Sequence, residues 1–235
     1  MERVASAGAA DSRWDLSRWG TGLWIIGCAA MSGTYLAGLA LHVRSGPYDA
    51  MQLVLLIFCR ETFALAAVWY VVAVALGTQA RSLGLVRPRL SAVALGIVLG
   101  IAYVFLSSVV VRVLFPNDHG ERLILDPLAA GKPFWRAAML AIIGVYSPVV
   151  QEIVFRGVLL KGLLERAGPI PAITITGVVF AAVHAASGPA TVFDTFAFGL
   201  VTGAIFVRTR TLTVPIAMHV TMNTFLTAWF LAAVR

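Results

Sequence analysis

Three apolar segments of this chain carry polar side chains at helical spacing. In chain order these residues are Gln151, Glu152 and Arg156; Phe180 and His184; and His219 and Asn223. Carboxylates and imidazoles can take a proton from water, while imidazoles and amides can donate hydrogen bonds to an oxyanion. Together they are the groups that hydrolysis of a peptide bond requires. Because ionisable groups inside a bilayer are costly unless they are paired or functional, the three segments predict a buried site.

Each of these residues also has a purely structural interpretation. Residues four apart share a helix face, so Glu152 and Arg156 can form a buried ion pair that only holds a helix in place. His184, His219 and Asn223 can each serve as an interhelical hydrogen-bonding group. The prediction of catalysis therefore depends on their combination.

The composition predicts a membrane protein. Apolar residues make up 60% of the 235 residues and charged residues only 12%, which is outside the range of soluble domains. Runs of about 20 apolar residues can span the hydrocarbon core as helices. We predict an all-α polytopic membrane bundle of about seven transmembrane helices, with a range of six to eight. The predicted spans are 19–41, 51–77, 90–115, 134–160, 169–186, 190–207 and 212–233.

The chain is divided here into three predicted parts: an N-terminal cytoplasmic tail at 1–18, N-terminal transmembrane helices and loops at 19–133, and a catalytic transmembrane core at 134–233. Lysine and arginine residues in the predicted loops favour the side of the N-terminus by about two to one, which predicts a cytoplasmic N-terminus in the cell inner or plasma membrane. The net charge of +7 then reflects topology and contact with membrane lipid, and nucleic-acid binding is not expected.

The cysteines argue against a disulfide framework and against a thiolate metal cluster. The chain has two, Cys28 and Cys59, and both fall in predicted spans. The residues before Cys28 resemble a lipoprotein cleavage site, but the apolar run continues well past it, which favours an uncleaved span.

Two further features lie inside predicted spans. Arg60 and Glu61 are adjacent opposite charges, which indicate either a structural ion pair or a contribution to the polar site. Pro148 precedes the Gln151 segment and should loosen its helix there, because proline removes one backbone hydrogen bond.

Helix geometry predicts that the polar segments converge. A turn near residues 166–168 places Glu152 about 21 Å and His184 about 23 to 24 Å along their helices, at matching depth. His219 and Asn223 reach this depth if the two helices protrude into the cytoplasm by a couple of turns. Gln151 is offset from Glu152 by about 100° around the helix, so it need not face the same space.

The three segments also carry a resemblance. The sequence Pro-Val-Val-Gln-Glu-Ile-Val-Phe-Arg-Gly at 148–157, followed by Phe-x-x-x-His at 180–184, Phe-Gly-Leu at 198–200 and His-x-x-x-Asn at 219–223, resembles the CAAX protease and bacteriocin-processing family of intramembrane proteases. The resemblance covers about 134–230. It implies an α-helical membrane core and a glutamate-type peptidase that uses no metal or other cofactor.

The resemblance also implies a role for each matching position. The first carboxylate of the family motif acts with the first histidine on water, so His184 would orient the water. His219 and Asn223 would form the oxyanion site. Arg156 would anchor Glu152.

Gln151 departs from the family pattern, which has glutamate at this position as the general base. A carboxamide has no basic form near neutral pH and cannot accept the proton of water. Three explanations stay open: Glu152 has become the base, the protein is a non-hydrolytic relative, or the glutamine is an introduced change.

The leading functional hypothesis is an intramembrane endopeptidase that cuts a peptide or membrane-anchored protein, with prenyl-protein maturation, leader processing and C-terminal sorting all open. A zinc peptidase with Glu152, His184 and His219 as ligands is less favoured, because the sequence has no His-Glu-x-x-His pair. A non-hydrolytic immunity or peptide-binding protein is favoured by Gln151. A proton-coupled transporter is disfavoured by the absence of sequence repeats.

Overall fold

The computed structural model describes residues 49–70, 80–118, 126–127 and 129–233. These residues form helices and short connections and contain no β-strand, which confirms the predicted all-α class. The predicted tail at 1–18, the predicted span at 19–41 and Cys28 lie outside the described residues.

Six long helical segments, numbered here α1 to α6, follow one another in the described chain, with short 3₁₀ turns at Ala80–Leu83 and Ala185–Ser187 between them. They are α1 (Ala50–Trp69), α2 (Leu90–Leu114), a long composite helix α3 over 133–167, α4 (Pro169–Ala182), α5 (Pro189–Thr209) and α6 (Thr213–Ala233). Among the described residues, all of these except α4 are long and apolar enough to cross a membrane. The protein is therefore an integral membrane protein with several spanning helices.

Helix α4 is shorter than the predicted span 169–186. It has 14 residues, or about 21 Å of helix, against about 30 Å for a hydrocarbon core. Its start is sharp, because Gly168 has a φ of +74° and Pro169 occupies the first turn. The predicted turn near 166–168 is thus confirmed, while His184 lies in the turn that follows α4, two residues past its last helical residue.

The long helix α3 changes its winding around Pro148. It runs as α-helix Pro133–Ala141, π-helix Ile142–Tyr146, α-helix Ser147–Glu152, π-helix Ile153–Leu160 and α-helix Lys161–Ala167. Pro148 has no N–H to give to the carbonyl of Gly144, four residues earlier. The predicted loosening of the helix before Gln151 is confirmed by this π-helical turn.

Side chains of α6 bind the carbonyls that the π-turn leaves free. The N–H of Ser147 donates to Ile142, five residues back, so the carbonyl of Ile143 lacks its usual partner. Asn223 Nδ2 donates to Ile143 O at 3.1 Å, and Thr224 Oγ1 donates to Gly144 O at 3.1 Å. Because no water is present in a bilayer core to bind such carbonyls, these bonds hold α6 against the kink in α3.

Small residues allow the closest helix contacts. A Cβ built on Gly96 of α2 would lie 2.5 Å from Ala217 Cβ of α6, and one on Gly100 would lie 2.7 Å from Met218 O. A Cβ on Gly199 of α5 would lie 2.9 Å from the Cα of Gly177 in α4. Such contacts are typical of packing between membrane helices. They pair α2 with α6 and α4 with α5, which sets the positions of the two site histidines.

Candidate active site

The centre of the site is a buried cluster of Glu152, Arg156 and His219. Glu152 and Arg156 are completely buried, and His219 keeps only 2% of its surface exposed. Glu152 Oε1 lies 3.1 Å from Arg156 Nη1 and 2.8 Å from His219 Nδ1. The predicted pairing of Glu152 with Arg156 is confirmed. Because an ionised carboxylate can only accept a hydrogen bond, Nδ1 of His219 carries the proton and donates a hydrogen bond to Glu152 Oε1.

Arg156 is held from two further sides. Its Nη2 donates to Thr202 Oγ1 of α5, and that hydroxyl donates in turn to Phe198 O at 2.8 Å. The guanidinium carbon lies 4.7 Å from the centre of the Phe180 ring, within the range of a cation–π contact. Arg156 thus links α3 to α4 and α5, and it fixes the carboxylate of Glu152.

Phe180 brings the two histidines together. Its ring centre lies 4.9 Å from that of His184 and 5.9 Å from that of His219. His184 Nδ1 lies 2.8 Å from the carbonyl oxygen of Phe180. A carbonyl can only accept, so Nδ1 of His184 carries the proton and Nε2 holds a lone pair that can act on water. His184 is half-buried, whereas His219 is buried.

Gln151 belongs to a second polar cluster, which connects α3 with α1. Its Nε2 donates to Glu61 Oε1 at 3.1 Å and to Ser147 Oγ at 2.9 Å. Ser147 Oγ donates to the same Glu61 oxygen at 2.7 Å, and Arg60 Nη2 lies 2.6 Å from it. As its predicted offset from Glu152 suggests, Gln151 makes its hydrogen bonds on another side of the helix.

Arg60 and Glu61 were expected to form either a structural ion pair or part of the polar site, and the structure shows features of both. The two residues form an ion pair, and Glu61 also binds the side chain of Gln151.

Asn223 has a structural contact as well as its predicted role. Its amide nitrogen donates one hydrogen bond to Ile143 O. An amide nitrogen carries two N–H groups, and the bond to Ile143 O uses one of them.

Three contributors to the clusters were not identified from the sequence or were left open: Ser147, Thr202 and Glu61. Ser147 lies four residues before Gln151, a spacing that places both on one helix face. Thr202 is a buried hydroxyl on the helix next to the Phe-Gly-Leu segment. Within the described ranges, no group of three or more His, Cys, Asp or Glu side chains is arranged to hold a metal ion, and this lends no support to the zinc alternative.

Comparison with known proteins gives a family match for the part of the chain that contains the predicted site residues. Residues 133–225 match the Rce1-like family, described as type II CAAX prenyl endopeptidase Rce1-like. The resemblance noted for about 134–230 is thereby confirmed. The matched region contains every predicted site residue, whereas Arg60 and Glu61 precede it.

One curated protein to which this chain is similar is named "Putative membrane peptidase YdiL" and comes from Bacillus subtilis (strain 168). The two sequences are 31% identical over 97 residues, which is 41% of this chain and 39% of the relative. The match thus spans about two fifths of the length of that protein. No solved structure matches the chain.

Proposed function

We propose that this protein is an intramembrane endopeptidase that hydrolyses a peptide bond of a membrane-associated polypeptide without a metal ion. The observation that carries the proposal is the convergence of three separate motifs on one ring. Arg156 of α3 and His219 of α6 both lie against Phe180, and His184 lies at the end of the same helix as that ring. The match of residues 133–225 to a family described as prenyl endopeptidases supports the same reaction class.

Glu152 acts in this proposal through His219. A carboxylate bound to Nδ1 holds the imidazole in one orientation and stabilises its protonated form. Protonated His219 can then donate from Nε2 to the oxyanion of the tetrahedral intermediate, together with the second N–H of Asn223. His184 Nε2 accepts a hydrogen bond from the attacking water and so orients it.

One explanation for Gln151 is that Glu152 has become the general base. The contacts of Glu152 make it poorly suited to this role. Its Oε1 is already shared between Arg156 and His219. Its Oε2 is buried and has no hydrogen-bond partner among the described residues. A general base must touch the water from which it takes a proton, and Glu152 is completely buried.

The substrate class follows from the position of the site and from the family. The polar clusters lie on helices long enough to span the membrane, so a soluble peptide has less access to them than a chain anchored in the bilayer. We propose that the scissile bond lies near a lipid anchor or a membrane segment. A prenylated C-terminal peptide is the first class to test, since the matched family is described by that activity; leader peptides and C-terminal sorting segments come next.

A second candidate function is a non-hydrolytic membrane protein that binds such peptides, and Gln151 is the observation that favours it. The two functions differ in whether the wild-type chain forms a product. The test uses proteoliposomes with farnesylated, leader and C-terminal anchor peptides, and mass spectrometry of the products. An endopeptidase gives two fragments with the wild-type chain and none with His184→Ala, while a binding protein retains peptide and cuts none.

A further inference from the structure

In this chain Gln151 stands where the family motif has a glutamate. The second polar cluster places another carboxylate, that of Glu61, beside Gln151. Gln151 cannot act as a base, but the group that its amide binds is the buried carboxylate of Glu61, at 3.1 Å. Glu61 comes from α1, 90 residues earlier in the chain, and it lies outside the matched family region. Glu61 keeps only 4% of its surface exposed, in a place where an unused carboxylate would be costly.

Among the described residues, the hydrogen bonds of Glu61 all go to one carboxylate oxygen. Arg60 Nη2, Ser147 Oγ and Gln151 Nε2 all donate to Oε1, and none of these three bonds uses Oε2. Three donors on one oxygen fix the orientation of the carboxylate.

We infer that Glu61 supplies the carboxylate that activates water in this site, with Gln151 and Ser147 positioning it from the neighbouring helix. This inference rests on the proposed peptidase function. The water oxygen forms a bond to the scissile carbonyl carbon while one water proton passes to Glu61 Oε2. When the tetrahedral intermediate collapses, the C–N bond breaks and the proton passes from Glu61 to the leaving amine nitrogen. A carboxylic acid and an amine are the products, and no other reactant is consumed.

The test exchanges the two side chains. Glu61→Gln removes the carboxylate but keeps an amide oxygen that can still accept from Gln151, Ser147 and Arg60. Gln151→Glu adds a carboxylate on the facing helix. The double variant Glu61→Gln/Gln151→Glu has the same groups in exchanged positions. Asp194→Asn is the matched control, because Asp194 is another carboxylate within the helices, bound to Tyr103 at 2.9 Å and outside both clusters.

All chains are assayed in proteoliposomes with the same panel of farnesylated, leader and C-terminal anchor peptides, and their thermal unfolding is measured in detergent. We expect Glu61→Gln to lower kcat at least 100-fold with KM within about threefold, since a general base is worth about 100- to 10,000-fold. The double variant should recover to within about tenfold of the wild-type chain, and the control should stay within about twofold.

Three outcomes would overturn the inference. Glu61→Gln that keeps wild-type turnover shows that the carboxylate is not used. A double variant that folds like the wild-type chain but does not cut shows that Glu61 has only a structural role. If only variants with Gln151→Glu cut any peptide, the site is a peptidase site that does not use Glu61. A different result, in which neither the wild-type chain nor Gln151→Glu cuts, would overturn the proposed function as well.

Discussion

His219 Nδ1 lies 2.8 Å from Glu152 Oε1, and the two residues are 67 positions apart in the chain. The contact joins α3 to α6 at a point where both side chains are buried. The same oxygen of Glu152 thus contacts both the guanidinium of Arg156 and the ring N–H of His219. Structure and proposed chemistry are therefore coupled at Glu152, and several predictions can be made for its neighbours.

Replacement of Glu152 by glutamine should reduce both stability and turnover. Arg156 would be left as a buried charge without its partner, which costs about 3 to 5 kcal/mol when a buried ion pair loses one member. We expect a lower midpoint of thermal unfolding in detergent and at least a 100-fold loss of cleavage. In a double-mutant cycle with Arg156→Met, the combined loss of stability should be smaller than the sum of the two single losses; additive losses would contradict the ion pair.

Thr202→Val should destabilise the protein by about 2 kcal/mol. Valine has nearly the shape of threonine, but it lacks the hydroxyl oxygen that accepts a hydrogen bond from the buried guanidinium of Arg156. Thr209→Val is the matched control: Thr209 lies on the same helix and its hydroxyl donates to the carbonyl four residues back, as that of Thr202 does, but it is exposed. The control should change stability by less than about 0.5 kcal/mol. Equal effects of both variants, measured by denaturant unfolding in detergent, would show that the bond to Arg156 has no net value.

Gly96→Ala should weaken the contact between α2 and α6. The added methyl group would lie 2.5 Å from Ala217 Cβ and 2.8 Å from Val214 O, and such overpacking costs about 1 to 3 kcal/mol. Ala94→Ser, at an exposed position of the same helix, serves as the control. The measurement is thermal unfolding of the purified chains. Unchanged stability of Gly96→Ala would mean that the two helices do not pack as closely as described.

Chelators should leave cleavage unchanged. The proposed general acid–base chemistry uses carboxylate, imidazole and amide groups alone. Prolonged dialysis against EDTA or 1,10-phenanthroline should therefore alter turnover by less than about twofold. The experiment compares treated and untreated proteoliposomes with the same peptide. Loss of activity on chelation, restored by added zinc, would support the metal alternative instead.

Local patterns in the sequence were sufficient to predict much of the site. The spacing of four residues predicts the pairing of Glu152 with Arg156, since side chains at that spacing meet on a helix. The offset of Gln151 from Glu152 follows from the same geometry. Apolar runs predict the spanning helices, and Pro148 predicts the irregular turn because a proline cannot donate the backbone bond that its helix requires.

The remaining features depend on contacts between distant segments. Nothing in residues 183–187 signals that α4 ends at Ala182, so His184 was expected within a helix and is found in a turn. The contact of Glu61 with Gln151 joins residues 90 positions apart, and no periodicity within either helix indicates which helices are neighbours. The bond of Asn223 to Ile143 exists only because the π-turn frees that carbonyl.

The decisive experiment asks whether the wild-type chain cleaves a peptide in a membrane. The protein is incorporated into liposomes with a farnesylated C-terminal peptide, a leader peptide or a C-terminal anchor peptide in water enriched in ¹⁸O, and the products are analysed by mass spectrometry. His184→Ala removes the lone pair that orients water, and Thr174→Ala, at an exposed position of α4, is its control. We expect a new carboxylate with one ¹⁸O atom for the wild-type chain and for Thr174→Ala, and none for His184→Ala. Equal product from His184→Ala, or no product from the wild-type chain with any of the peptides, would contradict this expectation.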